Sequence, residues 1–92
     1  MGQLFENIKQ AVRQERYVVS DHADERLRER KIELWQVVGG VEDGKLLMER
    51  PNETPLPVVE VEQLLADGTS VKVVWGWWQA DNVAKLITVH LQ

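Results

Sequence analysis

The chain contains no cysteine. That absence excludes a disulfide framework, a thiol nucleophile and every cysteine-based metal site. Histidine is nearly as scarce, with only His22 and His90, and the acidic residues lack ligand-like spacing. No metal and no cofactor is therefore expected. No apolar run approaches the roughly 18 residues that would cross a bilayer. Glu6 also interrupts the N-terminal segment before a leader-like stretch develops, so the expectation is a cytoplasmic protein without membrane association. Gly39-Gly40 is not followed by the Gly-Lys-Ser/Thr of a phosphate loop, and the sequence has no dinucleotide fingerprint and no nucleophile elbow. Basic residues are outnumbered 11 to 15, for a net charge of -4. This argues against broad, sequence-independent nucleic-acid binding, which depends on neutralising phosphates, but leaves room for a local basic cleft. The three prolines are confined to residues 51–57.

What is present suits one small domain over residues 1–92, with 43% hydrophobic residues. A chain of this size buries only about 60–65% of its extended surface, so its stability rests on one well-made apolar layer or on a partner. Leu4, Phe5, Ile8, Ala11 and Val12 recur at helical spacing and predict an amphipathic helix over 4–16. Tyr17-Val18-Val19 is β-prone and leads into further helix over 21–41, which Gly39-Gly40 should end. Strands are predicted at Lys45 to Glu49, Val58 to Leu65, Thr69 to Gln79 and Val83 to Leu91. The proline segment forms a loop between the first two, and Asp67-Gly68 and Ala80-Asp81-Asn82 form turns between the others. In the last strand Ile87, Val89 and Leu91 are expected on one face, with Leu86, Thr88 and His90 on the other. The fold class is α+β, with N-terminal helices packed on one side of a four-stranded antiparallel sheet.

The most chemically suggestive stretch is Ser20-Asp21-His22-Ala23-Asp24-Glu25-Arg26-Leu27-Arg28-Glu29-Arg30-Lys31-Ile32. Ser20 or Asp21 can cap a helix, and at 3.6 residues per turn His22, Arg26 and Arg30 stack on one face. Ala23 and Leu27 mark the neighbouring apolar stripe, so the basic column borders a buried seam. Histidine can donate and accept protons near neutrality, and arginine clamps phosphate through charge-assisted hydrogen bonds. If the sheet lies against this helix, Thr88 and His90 approach the same region. Such a set would suit RNA cleavage by attack of the 2′-hydroxyl. The competing reading makes His22 a helix-start residue and places Arg26 and Arg30 in ordinary ion pairs with Asp24, Glu29 or Glu33. In Trp75-Gly76-Trp77-Trp78, alternation puts Trp75 and Trp77 in the core and leaves Trp78 for a contact.

Ser20, His22, Ala23, Arg26, Arg30 and Ile32, together with the closing Ile87-Thr88-Val89, resemble the signature of the bacterial domain-of-unknown-function family 4258. That family is similar to the RelE/ParE-type toxins. The resemblance implies a toxin-like α+β fold and a metal-independent endoribonuclease cleaving mRNA. It further implies RNA or the ribosome as target and an antitoxin or other protein partner. The implied site is His22, Arg26, Arg30, Thr88 and His90. The chain departs from such toxins in its acidity, in having His90 where the family more often has Tyr, and in its proline loop and tryptophan cluster. These features motivate the alternative of a non-catalytic protein-interaction module, or a homodimeric inactive relative of the toxin fold.

Overall fold

A computed structural model describes residues 3–92. The elements are α1 (Gln3–Arg13), β1 (Tyr17–Val19), α2 (Asp21–Arg30), α3 (Leu34–Gly40), β2 (Lys45–Arg50), β3 (Val58–Leu64), β4 (Ser70–Trp78) and β5 (Val83–Leu91). They form one five-stranded sheet in the order β1-β5-β4-β3-β2. The α+β class and the β2–β5 meander agree with the sequence reading.

A purely antiparallel sheet of four strands does not. Tyr17–Val19 pairs in parallel with Ala84–Leu86 and adds a fifth, edge strand. The reason lies at the end of α1, where Glu15 adopts a left-handed conformation at φ 61°. The amide of Glu15 bonds the Val12 carbonyl at 3.0 Å and that of Arg16 bonds the Ala11 carbonyl at 2.7 Å, which closes the helix three residues before the expected Arg16. The Arg16 carbonyl is thereby turned towards the Ala84 amide, 3.1 Å away, and the chain runs on along the free edge of β5.

The helical span expected over 21–41 is likewise two helices. Lys31 takes the left-handed conformation, and the Ile32 amide reaches the Leu27 carbonyl at 2.9 Å. Ile32 and Leu27 are both buried, and this is the apolar pairing that accompanies such helix ends. Helix α3 then starts afresh at Leu34.

One face of the sheet is closed by the helices. Val59 and Val61 of β3, Val71, Val73, Trp75 and Trp77 of β4, and Ala84, Leu86 and Val89 of β5 form one buried cluster with Phe5, Ile8, Ala11, Val12, Ala23, Leu27 and Val37. Gln63 continues the β3 alternation into this core and is 1% exposed. Its side chain accepts from the Trp75 indole at 3.1 Å and donates to the Val37 carbonyl at 2.9 Å, so an amide ties the sheet to α3 without leaving either end unpaired.

The strands are regular at Leu64 and bulged elsewhere. Leu64 pairs regularly with Ser70, whereas β2 is bulged between Leu46 and Met48. A second bulge lies in β5. Val74 pairs with Thr88, but Trp75 pairs with Leu86, leaving Ile87 as an extra residue. This corrects the expected faces of the last strand: Leu86 joins Val89 and Leu91 on the helix side, and Ile87 joins Thr88 and His90 on the open side.

Candidate active site

The β5 bulge sets the position of α2. In a regular strand successive carbonyls point to opposite edges, but here two consecutive carbonyls meet Ser20. The Ser20 amide donates to the Leu86 carbonyl at 3.0 Å, and its hydroxyl donates to the Ile87 carbonyl at 2.9 Å. The same hydroxyl accepts from the Ala23 amide at 3.0 Å, capping α2. One serine thus ends β1, starts α2 and fastens it to β5. With Ala23 and Leu27 in the core, His22 and Arg26 are left at the border of the open sheet face.

Across that face, Lys72 pairs with His90, Val74 with Thr88 and Gly76 with Lys85. On β3, Glu60 stands beside Val74. Glu60 takes two cations, Arg50 at 2.9 Å and Lys72 at 3.6 Å; His22 and Lys85 enter neither pair. Among the described residues Arg26 has only a loose contact with Glu29, at 3.8 Å. An exposed pair of that kind leaves the guanidinium free to exchange its partner for an anion.

His90 draws the cluster together electrostatically. Partial desolvation is the main cause that pushes its imidazole below the usual 6.5, and the positive charges of Lys72, Arg26 and His22 push in the same direction against the opposing pull of Glu60. Thr88 is 9% exposed, and its hydroxyl is buried with no hydrogen-bond partner among the described residues.

Of the residues singled out from the sequence, His22, Arg26, Thr88 and His90 therefore border one face. Arg30 does not: it lines a separate depression with Ile32, Gln36 and Leu91 at the far end of α2. Sequence reasoning missed Lys72, Lys85 and Glu60. The signal for Lys72 was available, since it occupies the polar phase of the Val71-Val73-Trp75 alternation, two residues before Val74. Lys85 becomes a neighbour only through the hairpin register.

Beside the cluster, the loop 51–57 folds over the sheet and encloses a groove of about 520 Å³. Its sides carry His22, Lys85, Arg50 and Glu60, and its floor is Val58, Val74 and Ile87. Ile87 and Leu56 close over Gly76, where a Cβ would lie 2.9 Å from Ile87 Cδ1 and 3.3 Å from Leu56 Cδ1. The Trp77 amide donates to the Pro57 carbonyl at 2.9 Å and ties down the end of the loop. Among the described residues no group of three or more histidines or acids is placed to hold a metal ion, and no helix is long and apolar enough to cross a membrane.

No match was found among curated proteins or among solved structures. The model of a domain of unknown function, DUF4258, matches residues 19–90, from the end of β1 to His90. That span contains the serine anchor, α2 and the whole open face, and leaves α1 outside. On that match, the chain belongs to the DUF4258 family.

Proposed function

We propose that the open face binds RNA and that the protein is a toxin-like, metal-independent endoribonuclease acting on mRNA. The observation that carries this reading is the gathering of two histidines, Arg26 and Lys72 at one sheet face of an otherwise acidic chain. The depressed pKa of His90 favours the neutral ring and suits it to act as base. In the proposed reaction His90 removes the proton of a ribose 2′-hydroxyl, and the freed oxygen attacks the adjoining phosphorus. The bond from phosphorus to the 5′-oxygen breaks, and the leaving oxygen takes a proton from imidazolium at His22. The products are a 2′,3′-cyclic phosphate and a 5′-hydroxyl. Arg26 and Lys72 stabilise the charge that develops on the phosphoryl oxygens, while Thr88, whose hydroxyl is buried, supports the strand that carries His90. Arg30 lies beyond this centre and extends the basic path along the chain of phosphates. The resemblance to RelE/ParE-type toxins drawn from the sequence signature motivates this reading and suggests an antitoxin or the ribosome as partner.

The test is incubation with a long transcript in the presence of chelator, with and without ribosomes, followed by end-group analysis. Cleavage leaving cyclic phosphate, reduced about 100-fold or more in both His22→Ala and Arg26→Ala, supports the reading. Absence of cleavage, or cleavage that survives both substitutions, contradicts it.

A second reading, a protein-binding module or homodimer, is favoured by Trp35 at 65% and Leu64 at 64% exposure, which border one shallow depression. Tryptophan is a common interface anchor. Light scattering over a concentration series would show a Trp35-dependent dimer if this surface pairs with itself.

A further inference from the structure

The groove between α2 and the proline loop adjoins the proposed chemistry and shares His22 with it. Its composition is divided. Leu56, Val58, Val74 and Ile87 give an apolar floor and wall; along its sides Arg50 is paired with Glu60 at 2.9 Å and Glu53 adds an acid, which leaves Lys85, beside His22, as the groove cation outside those ion pairs among the described residues. Its size falls within the range of pockets that enclose small organic ligands. Inorganic phosphate needs no apolar floor, and an apolar peptide needs no cationic border. A nucleotide needs both: its base presents flat apolar faces, and its phosphate carries the charge.

We propose that this groove is a nucleobase subsite, in which one unstacked base of a single-stranded RNA lies against Ile87, Val74 and Leu56 while its phosphate meets His22 and Lys85. The proposal rests on the RNA reading for the identity of the ligand. Gly76 lies beneath the subsite, with the terminal methyl groups of Ile87 and Leu56 close over the place a side chain would take. Lys85 acts as a positioning cation, being the groove lysine outside the Glu60 ion pairs. A base held in this way must be outside a duplex, so single-stranded RNA is the substrate class.

The experiment compares the affinities of a nucleoside monophosphate, ribose 5-phosphate and inorganic phosphate by methyl and amide NMR, at matched ionic strength. The expected result is that the nucleotide binds about tenfold more tightly than ribose 5-phosphate, the gain from laying a base against apolar side chains. The nucleotide should also shift the Ile87, Val74 and Leu56 methyl signals. Ile87→Phe, which fills the groove, should abolish that preference. Leu56→Ser, in the surface loop, should reduce it and serves as the second variant if Ile87→Phe does not fold. Lys85→Ala should weaken nucleotide and ribose 5-phosphate alike. Equal affinity for nucleotide and ribose 5-phosphate, with the groove methyls unmoved, overturns the subsite even if the protein cleaves RNA. Base-dependent binding in a protein that cleaves nothing retains the subsite and removes only the catalytic reading.

Discussion

The two faces of this sheet are built from alternate residues of the same strands and have opposite character. On the helix side, Val71, Val73 and Trp75 are all fully buried, and the one polar intruder, Gln63, has partners at both ends of its amide. On the open side, Lys72, Val74 and Gly76 alternate with them, and Thr88 keeps a buried hydroxyl with no partner among the described residues. Complete satisfaction is what a scaffold requires. Polar groups left uncommitted are what a binding surface requires, and they reduce stability where they occur.

That contrast can be broken most severely at Gln63. Gln63→Leu keeps the approximate volume but leaves the Trp75 indole and the Val37 carbonyl unpaired, so urea unfolding should show a loss of about 3 kcal/mol. His22→Ala on the open side should alter stability by less than about 0.5 kcal/mol in the same assay. A similar loss for both would erase the distinction between scaffold and site.

Ser20 joins the two regions and should show a mixed effect. Ser20→Ala removes the α2 cap and the tie to the Ile87 carbonyl, which should cost about 1–2 kcal/mol. It should also lower phosphate affinity, because His22 and Arg26 are positioned through α2. Ser20→Thr, which keeps a hydroxyl, should recover much of both in thermal unfolding and anion titration.

The sequence carried the closed face well. Its apolar alternation and helical spacing marked α1, β3, β4 and the burial of Trp75 and Trp77, because burial leaves a periodic trace. It carried the joins poorly. β1 has only three residues and pairs in parallel with a strand 67 positions away at Tyr17 and Ala84, so no local pattern announces it. Lys31 and Glu15 end helices in a left-handed conformation usually marked by glycine. The Ile87 bulge inserts one residue without any compositional sign, yet it decides which side chains share the face of Thr88 and His90. The candidate site was therefore legible as a helical column of His22, Arg26 and Arg30 with Thr88 and His90 on the last strand; Arg30 lies apart from it, and Lys72, Lys85 and Glu60 depended on register.

A smaller effect in the opposite direction is expected at Thr88. Thr88→Val replaces the unpartnered hydroxyl with a methyl of similar shape, and stability should rise by about 1 kcal/mol in chemical unfolding. Phosphate affinity should be unchanged in the same variant, because the hydroxyl is buried. A destabilised Thr88→Val would mean that the hydroxyl already has a structural partner.

The smallest effect concerns pH. The folded ring of His90 lies below the ordinary 6.5, so as pH falls through that value the unfolded chain takes up its proton first. Stability should decline over this interval and level off once the folded ring is also protonated. His90→Gln should remove this component of the slope in unfolding curves collected between about pH 5 and 8.

The central claim is that His22, Arg26 and His90 form one anion-handling unit, and the NMR signals of the two imidazole rings with and without phosphate at fixed pH test it most directly. In the wild type at matched ionic strength, phosphate should move the ring signals of both histidines along one binding curve, and Arg26→Ala should largely remove the response. Equal shifts with chloride, or rings that ignore phosphate while Arg26 is intact, would contradict the account.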